Sequence, residues 1–114
     1  MRRHVLLLDL KDDPALIAEY EAHHAAGKVW PEVVDSIRQS GIQSMTIHRL
    51  GTRLVMLVEA DDDFDFAAKG AADSANPVVQ RWEALMDRFQ QPIAADPSRG
   101  KWQRATEIFS LDAQ

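Results

Sequence analysis

The sequence has 114 residues, of which 46% are apolar and 27% charged, which argues against global disorder and favours one domain over residues 1–114. Its formal net charge of −5 makes it a poor electrostatic match for nucleic acid or an anionic membrane. The absence of cysteine excludes disulfides, cysteine–zinc sites, iron–sulfur clusters and thiol nucleophiles. The longest apolar run, Leu54–Val58, is far shorter than the roughly 20 residues of a membrane helix. We therefore expect a cytoplasmic protein.

The first 41 residues predict a strand followed by two helices. Residues 3–10 are short and aliphatic, as expected of a strand. Asp13 can cap a helix in which Pro14 takes the first position, and Gly27 would end it. The apolar stripe of this helix consists of Leu16, Ile17, Tyr20 and His24. Pro31 opens a second helix that ends at Ser40-Gly41.

Residues 42–60 predict an antiparallel pair of strands. Residues 42–50 alternate in polarity, which places Ile42, Ser44, Thr46 and His48 on one side of the strand. Leu50-Gly51-Thr52-Arg53 reads as a hairpin turn, and Leu54–Ala60 as a nearly continuous apolar strand.

The remaining residues predict two helices, a loop and a last strand. Asp61-Asp62-Asp63 is interpreted as the N-cap of a helix over Phe64–Ala72. An amphipathic helix follows from Val78, with its apolar positions at Val79, Trp82, Leu85, Met86 and Phe89. Residues 91–100 contain two prolines and a glycine and predict a loop, and Ala105–Leu111 predicts the closing strand.

The order of these elements, β-α-(α)-β-β-α-β, predicts an α+β fold of the ferredoxin-like type, the split βαβ. In this fold a four-stranded antiparallel sheet carries its helices on one face. The other face would be bare, and a second copy of the chain is the expected cover. We therefore predict a homodimer that pairs through the sheet face.

Tyr20 and His24 are the first candidates for chemistry. Their i and i+4 spacing projects both side chains from the same face of the helix. A phenol beside an imidazole is a proton donor and acceptor pair, and histidine titrates close to neutral pH. The alternative interpretation is a structural tyrosine–histidine contact between helix and sheet. His23 would point elsewhere, toward solvent or a neighbouring helix.

Metal and cofactor sites are not predicted. The four histidines are His4, His23, His24 and His48, and they lack the His-x-x-x-His and His-Glu-x-x-His spacings of helical zinc sites. The five glycines form no phosphate loop or dinucleotide fingerprint, and there is no Gly-x-Ser-x-Gly elbow.

The tryptophans favour a carbohydrate ligand. Trp82 occupies a core-type helical position, whereas Trp30 and Trp102 lie beside predicted turns where a large ring can cap a pocket. An indole packs well against the C–H face of a sugar, whose hydroxyls need hydrogen-bond partners. Core packing is the alternative role of each ring.

Taken in order, five short motifs resemble the L-rhamnose mutarotase family. They are Tyr20-x-x-x-His24, Trp30-Pro31-Glu32, Gly41 before a strand, Gln80-Arg81-Trp82 and Glu107-Ile108-Phe109. The resemblance covers residues 3 to about 111. It implies a dimeric ferredoxin-like fold that interconverts the α and β anomers of a 6-deoxy-L-sugar without a cofactor.

The resemblance also implies roles for single residues. His24 matches the proton donor of the family, Tyr20 a substrate-binding tyrosine, and Trp82 the first of a substrate-binding Trp-Trp pair. The second tryptophan is Glu83 in this chain, and Met45 stands where the family has a sugar-contacting tyrosine. These two departures would change which hydroxyls the pocket satisfies, and they favour L-fucose slightly over L-rhamnose.

A different class of function stays open at this stage. Ferredoxin-like dimers also serve as small-ligand binding proteins, cofactor-free monooxygenases or lactone isomerases, and fold alone does not separate these activities. The Tyr20–His24 pair with tryptophans nearby suits a sugar better than a polycyclic substrate, which would favour a more apolar pocket.

Overall fold

A computed structural model of the chain describes residues 1–93 and 100–114. The strands are β1 (Arg2–Leu10), β2 (Ile42–Leu50), β3 (Arg53–Ala60), β4 (Gln90–Gln91) and β5 (Gln103–Arg104). The helices are α1 (Pro14–His23), α2 (Pro31–Gln39), α3 (Phe66–Ser74) and α4 (Pro77–Asp87), with a 3₁₀ turn at Leu111–Ala113. The paired strands are antiparallel in the order β2-β3-β1-β4, and β5 also pairs with β1. This arrangement confirms the ferredoxin-like α+β fold.

Local capping explains where the helices of the first half begin. The Asp13 carboxylate accepts hydrogen bonds from the backbone N–H groups of Ala15 and Leu16, at 2.9 and 3.2 Å. Trp30 has extended backbone angles, as expected of a residue before proline, and Pro31 starts α2. Gly27 has a φ of +78°, a conformation that favours glycine. Helix α1 itself ends at His23, four residues before that glycine.

The cap of α3 differs from the prediction. The residue that caps it is Asp65, whose Oδ1 accepts a hydrogen bond from the Ala67 N–H at 2.9 Å. Two of the three aspartates predicted to form the cap have other partners. Asp61 accepts a hydrogen bond from the Gln43 side chain, and Asp62 forms an ion pair with the terminal amino group at 3.0 Å. Helix α3 consequently starts two residues later than predicted.

A bulge in β2 corrects the assignment of its two sides. The register shifts between Ile42 and Ser44, so the alternation is interrupted there. Ile42 is buried under the helices, whereas Ser44 and Thr46 are exposed on the other face. After the bulge, Met45 and Ile47 lie on the same face as Ile42 and pack with the helices.

The closing strand was predicted too late in the chain. Strand β5 is only Gln103–Arg104, paired with Leu7 and Leu6 of β1. After Ala105, whose N–H donates to the Val5 carbonyl at 2.8 Å, the chain leaves the sheet. The apolar pattern that suggested a strand, Ile108, Phe109 and Leu111, is exposed.

The helices cover one face of the sheet in two clusters of buried side chains. The Trp82 cluster contains Leu10, Tyr20, Val33, Leu54, Val79, Trp82, Met86 and Phe89. The Val58 cluster contains Leu6, Ile42, Val58 and Ala60. Because β1 and β3 contribute to both, the clusters lie toward opposite ends of the same strands. Among the residues described, no helix has the length and apolar character needed to span a bilayer.

Candidate active site

A cleft of about 340 Å³ opens between α1 and the β2–β3 hairpin, at the end of the sheet that carries the Trp82 cluster. This volume falls within the range of small-molecule sites. The residues that line the cleft are Tyr20, Glu21, His24, Ile47, His48, Arg49 and Leu54. The cleft therefore contains both members of the predicted Tyr20–His24 pair.

The hydrogen bonding of His24 decides which of its nitrogens can do chemistry. Its Nδ1 lies 2.7 Å from the Tyr20 backbone carbonyl. A carbonyl only accepts hydrogen bonds, so Nδ1 must carry the hydrogen. In the neutral imidazole the lone pair is then on Nε2. The end of α1 thus fixes both the tautomer and the orientation of the ring.

Burial lowers the pKa of His24 below its ordinary value of 6.5. The hydrogen bond to the Tyr20 carbonyl opposes this shift, and the charge of neighbouring His23 adds to it. The net direction keeps His24 neutral at pH 7, because the charged form is the one that burial disfavours. At this pH the Nε2 of His24 can therefore accept a proton.

Tyr20 is almost completely buried beside the imidazole. Its side chain is 3% exposed, and the two rings are 4.2 Å apart between centroids. Burial raises the pKa of the Tyr20 phenol, Gln90 opposes the shift through its side chain, and the charge of Glu83 adds to it. The hydroxyl consequently stays protonated and can donate a hydrogen bond.

Trp82 and Trp30 pack on the core side of this pair. Trp82 is 6% exposed, and its ring lies 5.6 Å from the ring of His24. Trp30 packs edge-on against Trp82 at 5.2 Å. The structure thus brings together His24, Tyr20, Trp82 and Trp30, with the two indoles supporting the site from the core rather than lining the cleft.

The other two predicted substrate residues lie outside the cleft. Met45 packs against the Val58 cluster, one β-strand repeat away from cleft-lining Ile47. Glu83 forms an ion pair with Lys101, with 2.6 Å between Oε2 and Nζ. Its charge affects Tyr20 only by raising the pKa of the phenol. The structure therefore does not bring Met45 and Glu83 together with His24.

His23 lies outside the cleft, whereas His48 lines it from strand β2. The His23 ring lies against Phe89 at 5.6 Å and Trp82 at 6.4 Å, which places it toward helix α4. The His48 Nε2 lies 3.0 Å from the Thr46 hydroxyl. Within residues 1–93 and 100–114, no group of three or more histidine, aspartate or glutamate side chains is arranged to hold a metal ion.

Sequence reasoning missed Glu21 and Arg49, which line the cleft as an ion pair with 2.5 Å between Oε1 and Nε. Glu21 follows Tyr20 directly and looks like an ordinary exposed helix residue. Arg49 carried a signal, because it shares the strand parity of Met45 and Ile47, which face the helices. A charged side chain is unusual on the face of a strand that packs against helices.

The sequence is similar to named mutarotases, in one case over almost its full length. Residues 3–111 match the family described as L-rhamnose mutarotase. A protein of Xanthomonas campestris pv. campestris named L-fucose mutarotase is 50% identical over 111 residues, covering 97% of this chain and 89% of that protein. A protein of Jannaschia named L-rhamnose mutarotase is 32% identical over 73 residues, covering 64% of this chain and 66% of that protein.

Two solved structures share the fold at low sequence identity. L-rhamnose mutarotase FA22100 from Formosa agariphila superposes with a TM-score of 0.71 at 17% identity, covering 97% of this chain and 99% of that one. Tetracenomycin F2 cyclase from Streptomyces glaucescens superposes with a TM-score of 0.65 at 19% identity, with 97% of each chain covered. The second similarity illustrates that this fold hosts different chemistries. The sequence match, by contrast, is specific: the chain belongs to the L-rhamnose mutarotase family.

Proposed function

We propose that the protein interconverts the α and β anomers of a 6-deoxy-L-hexose in the cleft that Tyr20 and His24 line. As a member of a mutarotase family it is an isomerase that acts on a sugar. The observation that carries the proposal is the position of His24 at the cleft, with Nδ1 held by the Tyr20 carbonyl so that the neutral imidazole has its lone pair on Nε2. Burial lowers the pKa of His24, which favours this neutral form. Tyr20 supplies a protonated hydroxyl beside it.

The reaction requires two proton movements and no net oxidation. A proton leaves the anomeric hydroxyl and another arrives at the ring oxygen, so the C1–O5 bond breaks and an open aldehyde forms. Rotation about C1–C2 turns the other face of the carbonyl toward O5, and the reverse proton movements close the ring. We assign both proton movements to His24 Nε2, which takes the proton from the anomeric hydroxyl and delivers one to the ring oxygen, and which reverses both movements when the ring closes. Tyr20 is assigned to binding the sugar through its hydroxyl.

The proposed function is tested by following anomer exchange with saturation-transfer NMR. The purified protein is mixed with L-fucose, L-rhamnose or D-glucose, and the exchange rate is compared with that of buffer alone. We expect acceleration with the two 6-deoxy-L-sugars and little with D-glucose. Equal exchange with and without protein for all three sugars would contradict the proposal.

L-fucose is the proposed preference over L-rhamnose. The 50% identical relative from Xanthomonas is named for L-fucose, and this chain has Glu83 and Met45 where the family pattern has aromatic residues. Because neither residue lines the cleft, an effect on preference would be indirect, for example through the charge of Glu83 near Tyr20. Preference is measured as the ratio of exchange rates at equal subsaturating sugar concentrations.

A double variant tests the two departures. Glu83→Trp combined with Met45→Tyr should move the fucose-to-rhamnose ratio toward L-rhamnose. The single variants assign the effect to one position, and circular dichroism checks folding, because Glu83→Trp also removes the partner of Lys101. An unchanged ratio in the double variant would remove both residues from the specificity argument.

Homodimerisation through the open face of the sheet stays a proposal as well. A second cavity of about 390 Å³ lies on that face, and it combines Val5 and Leu57 with the polar side chains Arg3, Ser44, Thr46 and Glu59. Sedimentation velocity should give a dimer for the wild type and a shift toward monomer for Leu57→Glu. A monomeric wild type at micromolar concentration would contradict the proposal.

The single domain over residues 1–114 and the cytoplasmic location also stay predictions, which limited proteolysis and cell fractionation would check.

A further inference from the structure

Arg49 occupies an unusual position in the cleft. It pairs with Leu54 across the β2–β3 ladder, and Leu54 is 1% exposed in the Trp82 cluster. Directly paired residues share a face of the sheet, so Arg49 lies on the face that carries the helices. Its neighbour on that face of the strand is the apolar Ile47. The guanidinium is therefore placed at the rim of the cleft opposite helix α1.

Two contacts fix the plane of the Arg49 guanidinium. Nε donates to Glu21 Oε1 at 2.5 Å, and Nη1 donates to the Gly51 carbonyl at 2.8 Å. A guanidinium has five N–H donors in a rigid fork, so these contacts use only part of its capacity. The fork is held in one orientation by an acid on α1 and by the hairpin turn. Such preorganisation reduces the entropy lost when a ligand binds.

Stability alone is a weak reason for this ion pair. The Arg49 and Glu21 side chains are 37% and 53% exposed, and exposed pairs of this kind contribute little to folding. The pair does, however, border the same cleft as His24. A sugar in contact with His24 offers several hydroxyl oxygens, and each can accept a hydrogen bond from a charged donor.

We propose that Arg49 is a sugar-binding residue, which donates hydrogen bonds to hydroxyl oxygens of the pyranose held against His24, and that Glu21 is its positioning residue. The inference rests on the proposed mutarotase function. Arg49 keeps its proton at any working pH, so it takes no part in the proton exchange. Its contribution is to affinity and orientation, and it provides a polar contact on the wall of the cleft that faces α1.

The test compares four variants by anomer exchange, each over a range of L-fucose and L-rhamnose concentrations. They are Arg49→Ala, Arg49→Lys, Glu21→Gln and Lys69→Ala. The last is the matched control, because Lys69 is also a cation paired with a carboxylate, that of Asp73 at 2.8 Å, on helix α3 outside the cleft. Melting temperatures of all variants separate losses of folding from losses of binding.

Arg49→Ala should lower kcat/KM about 10- to 100-fold, the effect of a lost hydrogen bond from a charged donor. The loss should appear mainly in KM, and the melting temperature should change no more than in Lys69→Ala. Arg49→Lys should recover part of the loss, because an ammonium keeps the charge but not the fork. Glu21→Gln should lose clearly less than Arg49→Ala, because the sugar-binding group is still present.

The outcomes distinguish this inference from the proposed function. A wild type that accelerates no sugar overturns the proposed function and the inference with it. An active wild type with Arg49→Ala within twofold of it overturns the inference alone. Equal losses in Arg49→Ala and Glu21→Gln, accompanied by equal drops in melting temperature, would assign the pair a purely structural role and also overturn it.

Discussion

Two histidines sit among aromatic rings at opposite ends of the same sheet, and their surroundings differ in one decisive respect. His4, on β1 near the Val58 cluster, lies 4.9 Å from the ring of Phe66 and 5.9 Å from that of Phe64. His24 lies beside Tyr20 and Trp82. Burial lowers the pKa of both histidines. A half-buried histidine with a lowered pKa is therefore not by itself a site.

The difference lies in what each ring can reach. His24 is oriented by a backbone carbonyl through Nδ1 and borders a cleft. In the described part of the chain, the Nε2 of His4 is buried without a hydrogen-bond partner and lines neither of the two cavities. Orientation together with access to a ligand separates the catalytic candidate from a histidine used for packing.

The largest expected effect follows directly from this comparison. His24→Ala should lower the enzyme-promoted rate of anomer exchange by about 10²–10⁴-fold, the usual contribution of a general acid–base group. His4→Phe should leave the rate unchanged, because it preserves an aromatic ring away from the cleft. NMR exchange measures both variants, with circular dichroism to confirm folding. Wild-type exchange by His24→Ala would remove this residue from the mechanism.

Tyr20→Phe should have a smaller effect within the same site. The change removes the hydroxyl but keeps the ring that packs beside His24 and Phe89. One lost hydrogen bond to an uncharged ligand is worth about 0.5–1.5 kcal/mol, or roughly threefold to tenfold in rate. The same NMR assay measures it. A loss as large as that of His24→Ala would mean that the phenol itself exchanges a proton.

His23→Ala is a poor neutral control for these measurements. The sequence predicted that His23 points toward solvent or a neighbouring helix, and its ring packs against Phe89 and Trp82. The variant should therefore lower the melting temperature while the exchange rate of the folded fraction is retained. For this reason His4→Phe is the better comparison with His24→Ala.

The features that the sequence predicted correctly are those that neighbouring residues determine. Asp13 and Pro14 specify the start of α1, and the i and i+4 spacing specifies that Tyr20 and His24 lie together. The apolar spacing of α4 likewise buries Val79, Trp82 and Met86 as predicted. Each depends on contacts within one or two helical turns, which are readable without knowledge of the rest of the chain.

The features that it missed depend on distant pairing. The bulge in β2 reverses the side of Ile42 relative to Ser44, and it exists only in register with β3. Strand β5 forms where β1 offers partners, not where the chain is most apolar. The Glu21–Arg49 pair joins residues 28 positions apart, so no local pattern announces it. Strand alternation placed Arg49 with Met45 and Ile47, but no local pattern identified Glu21 as its partner.

The dependence of activity on pH provides a sharper form of the histidine comparison. The pKa of His24 is lowered from 6.5, so the reactive neutral imidazole should dominate at pH 7 and above. The value of kcat/KM for anomer exchange should be constant at pH 7 and above. It should fall at lower pH, with a midpoint below 6.5. His4→Phe should show the same profile, because His4 lines neither cavity. A midpoint above 6.5 would mean that a neighbouring negative charge, not burial, dominates around His24.

The smallest expected effect is on stability at the other end of the sheet. The pKa of His4 is lowered by burial and then by the charges of Arg104 and Arg2, so the unfolded chain binds a proton more readily than the folded one. Stability therefore falls as pH decreases through 6.5, and His4→Phe should remove the share of this loss that His4 causes. At pH 7.5 the variant should differ from the wild type by no more than about 1 kcal/mol, because Phe replaces an imidazole whose Nε2 has no partner among the described residues. Its stability relative to the wild type should rise between pH 7.5 and pH 5.5, which urea unfolding at both pH values would measure. An equal loss of stability in the variant at both pH values would show that the titration of His4 does not affect stability. The shape or polarity of the imidazole would then be what stabilises the fold.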